Sequence, residues 1–504
     1  MDFPTLLRRS ARAYRYTVAV WCDGREQTYG QLFERACRLA NGLAARGVQA
    51  GDRVAVLGPN GPETVEQVAG IALGGFVRSA LYAHQTAEVN SYLLELVDAR
   101  ALIVHASLAE GLEAEHVIVY GDSTDSEYER LLAGAPATDP GRTQSPADFH
   151  VIRFSAGTTG RPKGIAHTAA NWLRGGDEFR WVTPRIDERS GYLAAGPLTH
   201  AAVVFLWPIL QVGGRVIVME AFEPGLALEL IETQSPTLTL MVPTMIQALV
   251  AHPDAAERDL SSLEALTYAA APISPRTMHR AMDLFGPDVL YQWYAQSEAW
   301  PLTMLLPHQH LRRPDSVGRP TPNTVLKIVD DDGHELPLGE TGEIAVRTPG
   351  QMWGHWNDPE GTASRTLPDG SLRTRDMGYV DDDGFVYLVD RKEDMIISGG
   401  YNIWPAELEL ALASHPAVAE ACVVGVPDER WGETPKAVVV LDPGAGDTSE
   451  DELIEYSRER VGAVKKVTSV EFVTELPKSP LGKVLRRVVR DRYWADGGPR
   501  IGGS

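Results

Sequence analysis

Cysteine is scarce in this chain: Cys22, Cys37 and Cys422 are the three present in 504 residues. None stands in a C-x-x-C pair. A disulfide framework and a cysteine-based zinc site are therefore not expected, and a reducing cytoplasm is the expected setting. Long apolar runs are missing too. The longest, Ala201 to Leu210, falls short of the roughly 20 residues that span a bilayer, and it contains Pro208. The opening stretch MDFPTLLRRSARAYRY lacks the apolar core of a secretory leader, so a soluble intracellular protein with no membrane span is expected. Positive charge is in deficit: 47 Lys and Arg face 68 Asp and Glu, a net charge of −21. That balance argues against nucleic acid or an anionic membrane as partner, since both need a basic face. A basic run near the end (Lys465, Lys466, Lys478, Lys483, Arg486, Arg487, Arg490) is the local exception. A solvated charged face and a phosphate contact explain it equally well.

What the chain does contain is alternation. Tyr29 to Arg46 has helical apolar spacing, Arg53 to Gly58 reads as a buried strand, Glu63 to Leu73 as a helix and Ala101 to His105 as a strand. This pattern predicts layered α/β architecture with largely parallel sheets. The stretch Ala133 to Pro146 reads as a surface connector. Strand patterns recur at Gly214 to Met219 and Thr237 to Pro243. From Val325 to Arg347 short strands and turns predict a small β-rich subdomain, and Phe385 to Arg391 a second one. The last section or so, with helices at Pro405 to Ala413 and Asp451 to Val461 flanking two strands, suits a small separate α+β lid. The closing GGPRIGGS is expected to be disordered.

Two lysine-bearing segments carry the chemistry. Phe154 to Gly164 reads FSAGTTGRPKG, a Gly/Thr-rich loop whose backbone donors, hydroxyls and cation suit a polyphosphate. It is not a Walker A loop: its glycines are too close together, and Gly164 rather than Ser or Thr follows Lys163. Far downstream, Leu476 to Arg487 reads LPKSPLGKVLRR and carries Lys483. In this order the pair resembles the adenylate-forming superfamily of acyl-CoA synthetases, 4-coumarate–CoA ligases, luciferases and peptide-synthetase adenylation domains. The resemblance spans nearly the whole chain. It implies an AMP-binding N-terminal domain over residues 1–390, a hinge at 391–394, a mobile C-terminal lid over 395–496 and a tail at 497–504.

The resemblance also implies roles residue by residue. Ser155, Thr158, Thr159 and Lys163 would cradle phosphates, although Ala156 stands where the family often has serine. In YAQSE, which resembles Y-G-x-[ST]-E, Tyr294 would stack beside adenine and Ser297 would contact phosphate or the acyl carboxylate. Glu298, joined by Thr159, would bind magnesium. A carboxylate at a helix start would explain Glu298 without a metal. AAAPIS places Ala269, Ala270 and Ala271 along the adenine and acyl pockets. His200 of PLTH would sit near the reacting carboxylate, with Val203, Trp207, Trp293 and Ala299 as further acyl-pocket residues. Trp293 stands where many members carry glycine. In TRDMGY, Asp376 would accept both ribose hydroxyls, and Arg375 replaces a glycine without an obvious penalty on the ribose contact. Arg391 would contact ribose or phosphate, and Glu393 would be the turning point of the hinge. Ser398, Gly399 and Gly400 would line a pantetheine tunnel, and Lys483 would bridge α-phosphate and carboxylate.

Together these imply an ATP- and Mg2+-dependent carboxylate–CoA ligase acting on a hydrophobic acid: aromatic, alicyclic or terpenoid before long linear fatty. LTHAAVVF lacks the aspartate that amino-acid adenylation domains use for an ammonium group. An enzyme loading an acyl carrier protein, or a catalytically silent nucleotide-binding homologue, are the alternatives.

Overall fold

The computed structural model describes residues 2–83, 85–121, 123–155, 162–391, 394–398, 401–428, 430–442, 444–446, 448–478 and 484–494. Two large sheets dominate its N-terminal part. In one, the strands Leu290–Tyr294, Ala265–Tyr268, Leu238–Met241, Gly191–Ala194, Arg215–Val218 and Val18–Cys22 run parallel in that order, with antiparallel strands at both edges. In the other, Phe149–Ser155, Val77–Ala80, Arg53–Leu57, Ala99–His105 and His116–Tyr120 are parallel, and Lys163–Thr168 returns antiparallel beside the first of them. Parallel strands need crossovers, and the helices between them bury their apolar faces against the sheets. Tyr29–Ala45, for example, starts on a capping box in which Thr28 and Gln31 exchange side-chain and backbone bonds, and it buries Leu32, Ala36, Leu39 and Leu43.

The turn-rich region forms the expected small β-rich subdomain, and it takes in Phe385 to Arg391 as well. Val325–Val329, Gly342–Arg347, Leu372–Val380 and Val386–Arg391 form one antiparallel sheet rather than two small subdomains. The nine-residue strand Leu372–Val380 decides this, because it pairs with Gly342–Arg347 on one side and Val386–Arg391 on the other. The C-terminal unit has its own sheet, built on the long hairpin of Val418–Asp428 and Gly432–Leu441, with Pro405–Ala413 and Glu450–Val461 packed against it. Its apolar cluster, including Ile403, Leu408, Leu412, Val423 and Leu453, is separate from those of the larger sheets. The tail GGPRIGGS lies outside the described residues.

Among its described residues, the basic run near the end is largely paired with acids of the chain. Lys465 pairs with Glu407 at 2.8 Å and Lys478 with Glu420 at 2.6 Å. Arg486 pairs with Asp390, Asp394 and Glu409 at 3.0, 2.9 and 2.7 Å. Most of the positive charge is therefore answered within the chain, and Arg486 ties the segment after Lys483 to the carboxylates flanking residues 392–393. Cys22, Cys37 and Cys422 are all buried and free, and burial pushes their thiols up to about 11, 12 and 12. No helix among the described residues is long and apolar enough to cross a membrane.

Candidate active site

The Gly/Thr-rich segment is flanked by two antiparallel strands whose last register pairs are Phe154 with Gly164 and Ser155 with Lys163. Ala156, Thr158 and Thr159 lie outside the described residues. Lys163 lies within them, and its Nζ meets Asp358 Oδ2 at 2.9 Å. Asp358 also caps the short helix Pro359–Ala363 by accepting from the Gly361 amide, and these bonds hold its carboxyl below its ordinary range. Gly164 is required by packing: a Cβ there would stand 2.9 Å from the Trp356 Cβ. Trp356 in turn donates its amide to the Gly164 carbonyl.

Glu298 does not start a helix; it follows Leu290–Tyr294 in an irregular segment, so the macrodipole explanation fails. Its Oε1 accepts from Arg365 Nη1 at 2.6 Å and lies 3.8 Å from His355 Nε2. Burial pushes the carboxyl up, but His355 and the Arg365 charge outweigh it and bring the value down to about 2. An ionised, half-buried carboxylate of this kind fits a hard divalent cation.

Arg365 extends the network. It donates to Gln296 Oε1 at 3.2 Å and to the carbonyls of Arg373 and Thr374. Gln296 Nε2 reaches Asp376 Oδ2 at 2.5 Å, and the Tyr294 hydroxyl donates to the same oxygen at 2.5 Å. Asp376 Oδ1 points toward Arg391, whose Nε is 3.5 Å away across the strand pair. Both lone pairs of one oxygen are thus engaged, which leaves the other as the acceptor for a ligand. Tyr294 spends its hydroxyl on this carboxylate and is buried. Ala270 and Ala271 sit in the loop after Ala265–Tyr268, Ala270 being exposed.

Arg375 has φ +63°, a left-handed conformation that costs an L-residue about 1–2 kcal/mol. Replacing the glycine there therefore carries a backbone penalty that the letters alone do not reveal. Arg375→Gly is expected to raise stability by up to about 1 kcal/mol. A fall of that size in urea unfolding would contradict it.

Of the acyl-pocket candidates, Val203, Trp207, Ala269 and Trp293 share one core cluster. Ala299 does not join them; it packs with Tyr294, Ile165 and Leu302. Trp293 meets the Phe179 ring edge-on at 4.9 Å. His200 is half-buried, its ring 5.4 Å from that of Tyr82, and burial with the Arg153 charge lowers it to about 3. At neutral pH it is an uncharged imidazole, suited to donate a hydrogen bond but not a positive charge. Ser398 pairs with Tyr401 in a hairpin, whereas Glu393, Gly399, Gly400 and Lys483 lie outside the described residues. Asp358, Arg365, Gln296 and His355 were not anticipated. An Asp before a Pro at 358–359 was a legible cap signal; the other three carried none.

His150 and His167 are buried neutral, lowered by burial to about 3 from 6.5. A histidine whose folded value lies below its unfolded one binds fewer protons when folded. Stability is complete above pH 6.5 and drains as the pH falls toward 3. At pH 5 the His150 contribution lost is about 2 kcal/mol. His150→Phe is therefore expected to lose less stability than wild type between pH 7 and pH 5, as read from urea midpoints.

A family model for the AMP-binding enzyme matches residues 7–356, and that for the AMP-binding enzyme C-terminal domain matches 407–483. The chain belongs to the AMP-binding enzyme family. This AMP-binding enzyme is of the acyl-CoA synthetase kind. It is 38% identical to a feruloyl-CoA synthase of Amycolatopsis sp, over 96% of this chain and 98% of that one. It is 36% identical to a medium/long-chain fatty acid–CoA ligase of Mycobacterium tuberculosis, over 94% and 87%. Its structure resembles ATP-bound MatB of Rhodopseudomonas palustris with a TM-score of 0.90 at 27% identity, covering 98% of this chain and 99% of that one. Those structures share the mixed α/β architecture, with several sheets in a large N-terminal domain and a small C-terminal domain.

Proposed function

We propose that this AMP-binding enzyme joins a hydrophobic carboxylic acid to CoA in two half-reactions at one site. The observation that carries the reading is the continuous chain Tyr294–Asp376–Gln296–Arg365–Glu298, which fixes two ionisable carboxylates relative to each other across separate sheets. Asp376, through Oδ1, holds the ribose of ATP, and Arg391 stands beside it. Lys163 leaves Asp358 to meet the polyphosphate, with Ser155, Thr158 and Thr159 around it. Glu298 and Thr159 would hold Mg2+, which when bound draws negative charge from the phosphate oxygens. A carboxylate oxygen attacks the α-phosphorus and the bond to pyrophosphate breaks, with Lys483 between the two anions and neutral His200 donating a hydrogen bond.

In the second half-reaction the lid, residues 395–496, turns about Glu393. Lys483 withdraws and Ser398, Gly399 and Gly400 line the path of the pantetheine arm. The thiol sulfur bonds to the acyl carbon, AMP leaves with the carboxylate oxygen, and the thiol proton passes to solvent. The names of the relatives, an aryl-acid synthase and a fatty-acid ligase, support an apolar acid. So do Val203, Trp207, Ala269 and Trp293. The test is acid-dependent ATP–pyrophosphate exchange over linear, aromatic and polycyclic acids, followed by thioester formation with CoA. No exchange with any acid, together with no ATP binding, would sink the reading. Exchange without CoA acylation would point to an acyl carrier protein as acceptor.

A further inference from the structure

Two arginines lie in the interior with no acid paired to them among the described residues. Arg78 is on Val77–Ala80 and Arg153 on the neighbouring parallel strand Phe149–Ser155. Arg78 is opposite Val151 in register, so alternation puts Arg78 and Arg153 on one face of the sheet. They are 4% and 7% exposed. Arg78 Nη2 donates to the Leu198 carbonyl at 3.1 Å, two residues before His200, and its Nε has no partner. The Arg153 guanidinium lies 5.7 Å from the centre of the Trp172 ring and makes no hydrogen bond or ion pair among the described residues. Glu298 is the acid whose charge reaches it, and that carboxylate is bound to Arg365.

A buried cation is normally paired, because leaving it unpaired forfeits its hydration without return. Here burial lowers both guanidiniums, and Arg153 lowers Arg78 further, to about 10. Arg153 sits between two parts of the proposed site. On one side, the Tyr82 hydroxyl donates to the carbonyl of Phe154, the residue after Arg153, at 2.5 Å, and the Tyr82 ring meets that of His200 edge-on. On the other, Trp172, which the Arg153 guanidinium faces, meets the His167 ring edge-on at 5.4 Å, and His167 Nε2 donates to the Ser297 carbonyl at 2.9 Å. A positive, donor-rich position between His200 and Ser297 is complementary to a carboxylate.

We propose that Arg153, with Arg78 behind it, is the carboxylate-recognition residue of the acid substrate. The inference rests on the ligase reading above and deepens it: the cation that selects an acid belongs to the large domain, independent of the lid lysine. Among the described residues Arg153 meets no acid, and the substrate carboxylate supplies the partner.

The test uses the full-length enzyme with octanoate, ferulate and octanedioate in the exchange assay, comparing wild type, Arg153→Met and Arg153→Lys. Arg153→Met is expected to raise KM for the acid about 10- to 100-fold and to leave KM for ATP within about twofold. Arg153→Lys should recover part of that loss. The melting temperature of Arg153→Met should not fall, since no ion pair is lost and a buried charge is removed; a merely structural arginine would show a fall. Equal losses for mono- and diacids assign Arg153 to the reacting carboxylate and support the proposal; a loss confined to octanedioate, with octanoate and ferulate unchanged, overturns it. Unchanged KM for acids, or a rise for ATP alone, overturns it. If Arg153→Met fails to fold, Arg153→Lys decides by the same criterion. Absence of exchange in wild type with all three acids would instead remove the ligase reading and the inference with it.

Discussion

Glu298→Gln is expected to reduce acid-dependent pyrophosphate exchange by about 100- to 1,000-fold, the scale on which a preorganised charge contributes to a transition state. The substitution keeps shape and removes charge. In wild type the carboxylate stays ionised far below neutral pH because His355 and Arg365 outweigh the effect of burial. Glutamine offers a divalent cation a weaker ligand, so the Mg2+ concentration for half-maximal rate should rise with the loss in rate. Stability should fall as well, since Arg365 loses its ion pair. The fall should stay at or below about 3 kcal/mol, the lower end for breaking a buried pair. The reason is that the guanidinium keeps Gln296 Oε1 and the carbonyls of Arg373 and Thr374. Arg365→Met separates the two effects: it should destabilise comparably while retaining more activity than Glu298→Gln. Exchange by Glu298→Gln within a few-fold of wild type would remove Glu298 from the mechanism.

The second large effect is expected at Asp376. Asp376→Asn should raise KM for ATP about 10- to 100-fold, the range for losing a charge-assisted hydrogen bond, with a smaller change in kcat. One oxygen is already saturated by Tyr294 and Gln296. The ribose hydroxyls therefore depend on Oδ1, the oxygen that faces Arg391. An amide nitrogen placed there would point donors at both the guanidinium and the ribose. Tyr294→Phe provides the contrast. It removes one donor to Oδ2, costs about 1 kcal/mol of stability, and should move KM for ATP far less than Asp376→Asn. If Asp376→Asn bound ATP normally, the ribose assignment would fall.

The letters carry less in the acyl region. Val203, Trp207, Ala269 and Trp293 could be grouped from their motifs and do share a core, yet Ala299, one residue after Glu298, packs in another cluster beside Tyr294. A one-residue step along an irregular segment redirects a side chain, and no periodicity announces it.

Local rules account for what could be read in advance. Helical and strand spacing depend on neighbours within a few residues, so elements such as Tyr29–Ala45, Arg53–Leu57 and Pro405–Ala413 were legible, as was the α/β class. Lys163, Glu298 and Asp376 could be singled out in advance because each sits in a short segment resembling a family motif. Tertiary structure alone decided their partners. Asp358 is 195 residues from Lys163, Arg365 is 67 from Glu298, and Gln296 is 80 from Asp376. It also decided that the turn-rich strands form one sheet and that Arg375 lies at positive φ. Finally, among the described residues it left Arg78 and Arg153 without an acid. Pairing at such separations depends on where sheets and loops converge in space, and a residue's type does not encode which distant group will meet it or whether any will.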